Sequence, residues 1–423
     1  MQSLGNGVLV ISSAYAPNDV VGAKRFTFLS EELHRQGLDV RVLTLAQRDS
    51  TKLDTSLPCL KHVYRSRLPL PYPVTPDSTV KKIYLRLLQR YIGIPDPYVS
   101  WLLTGLFTGY RLIRRHKVGV VIATTPYFTS VLMGALLSRF TGARLIIDYR
   151  DPLSGYDWPT RRGVNRTTPL TRWLEKRVVR SASAIVFVTE DMRRHFQRIL
   201  GPYTRAPLHV ITNGYHPTAE LEPLYLDAGK VNLLYAGTFY GDRKLGLLLK
   251  PLDELIREGS VSADSVRIHI FGTLSVEDRN LLRELDQEHL IREHSKVDHT
   301  TILRYMKGAD ILFLLSGEDV TYALPYKLFD YLAAQRPILA IAPRNSAVAA
   351  FMEHVHCGEL GIIDAPISTK DALSTILRKT SGYSFAETAA FQWKQLGERY
   401  ANIIQALLLP TPPPLSITTR RTS

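Results

Sequence analysis

The feature that most constrains this chain is a regular alternation. Short continuous apolar runs, rich in Val, Ile and Leu, are separated by longer amphipathic stretches. In the first half the apolar runs are Val8–Ser13, Val40–Leu45, Val118–Thr124, Arg144–Tyr149 and Ala184–Thr189. A strand with one wet face alternates polar and apolar side chains, whereas a strand covered on both faces need not. These runs therefore predict a parallel sheet with helices on both sides. Between them, Lys24–Gln36 places Phe28, Leu29 and Leu33 on one side of a helix, and Gly37 can end it.

The second half repeats the rhythm. Strands are expected at Val231–Ala236, Val266–Phe271, Ala309–Leu315, Pro337–Ala342 and Leu360–Ile363. Helices are expected at Lys244–Arg257, Val276–Gln287, Thr300–Lys307, Tyr326–Ala334 and Lys370–Lys379. Two such series, each able to close its own sheet, predict two doubly wound α/β domains. Asn213-Gly214, Pro217 and Pro223 break the periodicity and place the link near Asn213–Leu224. The expected organisation is a first domain over residues 1–212 and a second over 213–384. A long amphipathic segment, Phe385–Leu408, either caps the second domain or crosses back to the first. Residues 409–423, proline-rich and then polar, are expected to be disordered.

Composition narrows the function. The chain has 423 residues, 45% hydrophobic and 22% charged, which suits two globular domains with real cores. Two cysteines, Cys59 and Cys357, cannot build a disulfide framework or a multi-cysteine metal site, so a reducing compartment is expected. The start, MQSLGNGVLVISSAY, lacks the basic and long apolar regions of a signal peptide, and no apolar run is long enough to span a bilayer. The net charge of +14 is unevenly spread: residues 1–212 carry a net of +17 and residues 213–423 a net of −3. The first half should therefore attract polyanions, anionic membrane or acidic substrates.

Ligands of open α/β sheets bind beyond the carboxyl ends of the strands, so the residues that follow each strand are the candidates. After the first strand, residues 12–25 hold no G-x-G-x-x-G. Gly22 stands where a helix should begin, and with Lys24 it can meet a hydroxyl-rich or anionic ligand; the plainer reading is a tight turn. Asp148-Tyr149-Arg150-Asp151-Pro152 ends a buried strand. Its three charges must face a cleft or pair with one another, because burying them alone is costly. Asp151 can act as a general base toward a hydroxyl, with Arg150 orienting it. In the second half, Gly237 ends a strand and lets a ligand approach the backbone. Arg243 and Lys244, expected at the start of the next helix, suit a diphosphate. Gly272 ends the following strand, and Val297 can contact a base through its backbone. In Tyr322–Pro337, Pro325 opens a helix that carries Lys327, beside where phosphates would sit, and, one turn later, Asp330. Asp330 either accepts from ribose hydroxyls or pairs with Lys327. D-x-D, H-E-x-x-H, G-x-S-x-G and Walker patterns are all missing, so neither a tightly bound metal nor a serine-hydrolase triad is expected.

In this order the motifs resemble glycosyltransferase family 4, over about Val8 to Leu407. The pieces that carry the likeness are Tyr15-Ala16-Pro17…Gly22, Asp148-Tyr149-Arg150-Asp151-Pro152, Ile211-Thr212-Asn213-Gly214-Tyr215, Gly237…Arg243-Lys244 and Ala323-Leu324-Pro325-Tyr326-Lys327-Leu328-Phe329-Asp330-Tyr331-Leu332-Ala333. The resemblance implies the GT-B fold, two Rossmann-like domains facing a central cleft. It implies a nucleotide-sugar donor on the second domain and an acceptor on the first. It further implies retaining, metal-independent transfer and a C-terminal helix that returns to the first domain. Gly237, Arg243 and Lys244 match the family's donor-diphosphate positions. The family's Glu-x7-Glu motif would fall at 322 and 330. Here 330 is Asp and 322 is Tyr, so the first carboxylate is missing; Thr124-Thr125-Pro126 also stands where the family has a histidine.

Partners follow from both readings. The expected acceptor is a glycan or lipid-linked sugar in polysaccharide or glycolipid synthesis. Lys81, Lys82, Arg86 and Arg90 interleave with Ile83, Tyr84, Leu85, Leu87 and Leu88, and Trp101, Leu102, Leu103, Leu106 and Phe107 follow. That mixture suits an anionic membrane surface, and equally an ordinary helix pair facing the core. The expected location is cytoplasmic, peripheral to the inner face of the membrane. Nucleic acid is not an expected partner, since no recognised binding motif accompanies the charge. The rival reading is a GT-B-like protein that binds nucleotide or glycan without turnover, and Tyr322 in place of a carboxylate is its support.

Overall fold

A computed structural model describes residues 5–18, 20–46, 53–54, 57–69, 96, 98–153, 169–239, 241–318, 321–379 and 381–409. The basic segment at Lys81–Arg90 and the tail from residue 410 lie outside the described residues.

The first domain is built on a seven-stranded sheet in the order β3-β2-β1-β4-β5-β6-β7. The strands are β1 (Gly7–Ile11), β2 (Asp39–Leu45), β3 (Val63–Ser66), β4 (Val118–Thr124), β5 (Arg144–Tyr149), β6 (Ala184–Phe187) and β7 (Leu208–Val210), and every pairing is parallel. The period of two along a strand sorts its side chains onto two faces. Leu9, Ile11, Val121, Ala123, Leu145 and Ile147 enter one core. Helices α2 (Trp101–Arg115), α3 (Phe128–Thr141), α4 (Pro169–Ser181) and α5 (Glu190–Ile199) cover that core. Val8, Val10, Val120, Ile122, Ile146 and Val186 enter the opposite one, under α1 (Val21–Arg35).

The second domain has six parallel strands in the order β10-β9-β8-β11-β12-β13. They are β8 (Val231–Ala236), β9 (Val266–Phe271), β10 (Ile291–His294), β11 (Ile311–Leu315), β12 (Ile338–Ala342) and β13 (Gly358–Ile362). On one face lie α6 (Gly246–Arg257), α7 (Val276–Glu284) and α11 (Pro366–Arg378). On the other lie α8 (His299–Gly308), α9 (Tyr326–Ala334) and α10 (Ala347–Val355).

The chain passes between the domains twice, at adjacent points. The Tyr215 amide donates to the Phe391 carbonyl (3.1 Å), and the Trp393 amide donates to the Tyr215 carbonyl (3.0 Å). The segment read as one helix, Phe385–Leu408, is broken at Gln392 into a short 3-10 turn (Ala386–Phe391) and α12 (Trp393–Leu408). Helix α12 buries Trp393, Leu396, Tyr400 and Ile404 against Phe26, Leu29 and Leu33 of α1, and so joins the first domain's core.

The long interior elements sit within a few residues of their sequence-based bounds. The three strands absent from that reading are β3, β7 and β10. Each has three or four residues, mostly half-exposed, and β3, β7 and β10 are edge strands. An edge strand needs no apolar run, so it leaves no such signal.

Candidate functional site

The carboxyl ends of the two sheets meet. The loop after β11 lies against the first domain: the Thr189 hydroxyl, after β6, donates to the Tyr322 carbonyl (2.6 Å). The Tyr322 side chain is buried in the first domain's core with Tyr149, Phe187 and Met192. The ammonium of Lys24, on the first turn of α1, lies 5.1 Å from the Tyr326 ring centroid at the start of α9. Lys24, expected to meet an acceptor, is instead buried in this contact between domains.

On the second domain the site is built around the end of β8. Tyr235 stacks between Phe239 (4.4 Å) and Phe313 (5.0 Å), which fixes its ring. The Tyr331 hydroxyl donates to the Phe313 carbonyl (3.1 Å) and accepts from the Ala236 amide (3.2 Å), which holds the strand end in place. The chain then turns at Gly237 with φ +139°, a conformation that side chains rarely adopt. A Cβ there would lie 2.7 Å from the Lys327 ammonium. Lys327 therefore reaches from α9 across to the β8 turn, and its charge rests 3.9 Å from the Tyr235 ring centroid. Burial, with the nearby Arg243 guanidinium adding to it, pulls the Lys327 ammonium down to about 7, while Asp330 acts in the other direction. Lys327, Arg243 and Gly237 are thus brought together, and Lys244 stands exposed beside them.

Two expectations about backbone anion sites change. Arg243 and Lys244 do not start a helix, because α6 begins at Gly246. The approach to α6 is occupied as well: the Leu245 amide donates to Asp278 Oδ1 (2.9 Å). The helix terminus beside the cations is that of α9. Its N-cap is Pro325, which offers no side-chain acceptor; the Leu328 amide turns back to the Pro325 carbonyl (3.0 Å), and the Tyr326 and Lys327 amides ahead of it have no side-chain cap and can meet an anion. Gly272 likewise serves a different contact. A Cβ there would lie 1.9 Å from the Gly237 carbonyl oxygen, so its bareness lets the β8 and β9 loops touch each other.

Asp330 pairs with His299 Nε2 (3.1 Å), at the first residue of α8, and its charge also acts on Lys327. Val297, just ahead of α8, is half-buried against the core of this face. Asp330 and His299 line a cavity of about 250 Å³ whose wall also includes Tyr215, His216, Tyr326 and Trp393. This cavity opens where the two chain crossings meet. Burial holds His216 down to about 4.

On the first domain the three charges at the end of β5 and just beyond it divide into two roles. Asp148 is fully buried and takes a bidentate pair from Arg25 of α1, Nε to Oδ1 at 2.9 Å and Nη2 to Oδ2 at 2.8 Å. Arg25 also donates to the carbonyls of Ile211 (2.9 Å) and Thr212 (2.8 Å), and Tyr400 of α12 donates to Asp148 (3.4 Å). This lock ties α1, β5, the first crossing and the returning helix together. Arg150 and Asp151 stay at the cleft. Arg150 donates to the Gly22 carbonyl, and a Cβ on Gly22 would lie 2.7 Å from its guanidinium. Asp151 is about one-third exposed; its backbone is pinned by the Thr125 hydroxyl, and its carboxylate accepts from Arg150 Nε (3.4 Å). Among the described residues, no three His, Cys, Asp or Glu side chains gather where they could hold a metal ion.

Sequence reasoning did not single out His299 or Tyr235. Neither carries a motif: His299 matters because α8 and α9 lie side by side, and Tyr235 because Lys327 folds over it. The absence of a carboxylate at 322 is explained by position, since that side chain serves as an apolar anchor in the other domain.

Residues 22–214 match the family described as glycosyl transferase 4-like domain. Alpha-D-kanosaminyltransferase of Streptomyces kanamyceticus is 22% identical over 376 residues, 83% of this chain and 88% of that protein. Sucrose-phosphate synthase of Thermosynechococcus elongatus superposes with a TM-score of 0.61 at 15% identity, over 95% of this chain and 94% of the other. HepE of Anabaena, solved in complex with UDP, gives a TM-score of 0.60 at 12% identity, over 94% and 99%. The fold shared with these structures is GT-B.

Proposed function

We propose that this glycosyltransferase, a GT-B chain whose first domain is of the glycosyl transferase 4-like kind, moves a sugar from a nucleoside diphosphate to an acceptor hydroxyl, with retention of configuration. The observation that carries the reading is the convergence of Lys327, Arg243 and the open N-terminus of α9 at the Gly237 turn. Lys327 is a cation held where water is scarce, and an anion would relieve both its desolvation and its repulsion from Arg243.

In this reading the diphosphate lies at the Gly237 turn, with Lys244 at its rim. As the sugar–phosphate bond breaks, negative charge grows on the leaving diphosphate, and the fixed cations and α9 amides stabilise it. They supply the charge that a metal would otherwise bring, so no resident metal is proposed; a rate unchanged by chelator is the expected result. Asp330, oriented by His299, accepts from the ribose hydroxyls, and the base lies along Val297. A uracil nucleotide is the first to try, given the UDP complex of HepE. Arg150 and Asp151 hold the acceptor hydroxyl, and Asp151 takes its proton. Contact between the domains at Tyr322 and Lys24 keeps bulk water from the donor.

The acceptor side has an outward face that suits a membrane. Helices α2, α3 and α4 are neighbours, and they expose Leu103, Phe107, Phe140 and Trp173. Arginines sit on two of these rings: Arg111 lies 5.3 Å from Phe107, and Arg177 lies 5.0 Å from Trp173. Among the described residues no helix is long and apolar enough to cross a membrane. We place the enzyme on the inner face of an anionic membrane, taking a lipid-linked acceptor in glycolipid or polysaccharide synthesis. Flotation with anionic liposomes should carry the protein, and flotation that is indifferent to anionic lipid would defeat this placement.

The donor assignment is tested by thermal shift with UDP, GDP, dTDP, CMP and NAD, then by transfer assays on Arg243→Ala and Lys244→Ala. One diphosphate should stabilise the protein, by about 2.7 kcal/mol at a hundred times its Kd. Both variants should fold and lose transfer. Full activity in both would defeat the assignment.

A further inference from the structure

At the far end of the first domain from the cleft lies a second positively charged concavity. Helix α4 ends at Ser181, just before β6 starts at Ala184, and a 3-10 turn, Gly201–Tyr203, leads into β7 at Leu208. Between these two strand starts is a pocket of about 460 Å³, lined by Arg180, Ser183, Tyr203, Thr204 and Arg205 among others. Pro202 and Pro207 stiffen its wall, and among the described residues no acidic side chain lines it.

The Tyr203 ring organises the charge. The Lys176 ammonium lies 4.4 Å and the Arg180 guanidinium 5.4 Å from its centroid, so two cations of the same helix share one ring. A hydrogen bond from Lys176, then the charges of Lys176 and Arg180, draw the Tyr203 phenol below its ordinary value. Arg205 adds a third cation at the rim. Among the described residues of this domain, the carboxylate ion pairs go to Arg25, Arg35, Arg41, Arg150, Arg193 and Arg194, and Lys176, Arg180 and Arg205 have none. Three like charges around a hollow repel one another until an anion enters. Hydroxyls are present to complete its coordination. Ser183 Oγ and Thr204 Oγ1 accept from the Leu145 and Ala206 amides, which leaves their protons to donate.

We propose that this pocket binds a phosphate group, carried by a small phosphorylated molecule or by a lipid headgroup. An arginine fork matches the oxygens of a tetrahedral phosphate, and the pocket is wide enough for the group together with part of its substituent. The site is distinct from the donor site: it lies at the amino ends of β6 and β7, whereas the donor site lies at the carboxyl ends of the second sheet.

Inorganic phosphate is titrated into the full-length protein at low salt by calorimetry. Wild type, Arg180→Gln/Arg205→Gln and the donor-site variant Lys244→Ala are compared. Both arginines are exposed, so the double variant should keep the wild-type thermal midpoint. Saturable binding is expected in wild type and in K244A, and should weaken about tenfold or more in the double variant. Undiminished binding in the double variant, or no saturable binding to wild type, overturns the proposal. Vesicles of phosphatidylcholine with and without phosphatidic acid then separate the two sources. Capture that depends on phosphatidic acid and on the two arginines supports a lipid headgroup. Phosphate binding with vesicle capture indifferent to the arginines supports a soluble phosphorylated ligand.

Discussion

Replacing Lys327 by Met should make the protein more stable and less able to hold its donor, and pH should separate the two effects. Burial brings the Lys327 ammonium from its ordinary 10.5 to about 7. Each pH unit of that fall corresponds to about 1.4 kcal/mol, so keeping the lysine charged in the folded state costs up to about 5 kcal/mol below pH 7. The Tyr235 ring, 3.9 Å away, offsets about 1–2 kcal/mol of this, which leaves a few kcal/mol for Met to recover. Between pH 7 and 10.5 the unfolded chain binds a proton there that the folded chain does not. Wild-type stability therefore rises with pH in that window, and its deficit against K327M should shrink by about 1.4 kcal/mol per pH unit. Urea unfolding at pH 6 and pH 9 measures this. In the same variant the nucleotide-induced stabilisation should shrink, from about 2.7 kcal/mol to about 0.4–1.4 kcal/mol at the same nucleotide concentration. The kcat/KM for the donor should fall about 10- to 100-fold, the worth of one hydrogen bond to a charged group. Wild-type kcat/KM should itself decline as pH rises through about 7, because the free enzyme loses that charge. A K327M protein less stable than wild type at pH 6, or a stability gap equal at both pH values, would refute the idea that this lysine is a desolvated cation awaiting an anion.

Asp148→Asn leaves the Arg25 guanidinium without its charge partner in a fully buried position, and should cost about 3–5 kcal/mol in urea unfolding; a loss under about 1 kcal/mol would show that the lock is not under electrostatic load. Tyr322→Ala removes the side chain that anchors the β11 loop in the first domain, so the radius of gyration from solution scattering should increase, whereas Tyr322→Phe should leave it unchanged. An unchanged radius in Y322A would mean that other contacts hold the domains together. Asp330→Ala should raise the donor KM about tenfold with little change in kcat, and His299→Ala should raise it less, because histidine acts through the aspartate. A larger effect of H299A than of D330A would reverse those roles.

The interior strands could be read from the sequence because burial on both faces demands uninterrupted apolar residues. Val118–Thr124, Arg144–Tyr149, Val231–Ala236 and Val266–Phe271 are found at the bounds the sequence suggested. The edge strands β3, β7 and β10 gave no such signal. Strand-end positions also carried the candidate residues, since a charge or glycine that closes an apolar run must lie at the rim of the sheet. What could not be read was which rim residues face one another. Asp148 and Asp151 are three residues apart and equally charged in the sequence, yet one is locked to Arg25 and the other faces the cleft.

The sequence by itself determined that the chain forms two doubly wound sheets, because strand burial and helix amphipathicity are local patterns. It also determined that the positive charge belongs to the first of them. Tertiary structure alone decided that Lys327 folds over the Tyr235 ring, that Asp330 pairs with His299, and that Tyr322 and Lys24 serve the contact between domains. These residues lie on separate elements, and only the packing of two sheets and the return of α12 bring them within the few ångströms over which charges and hydrogen bonds act.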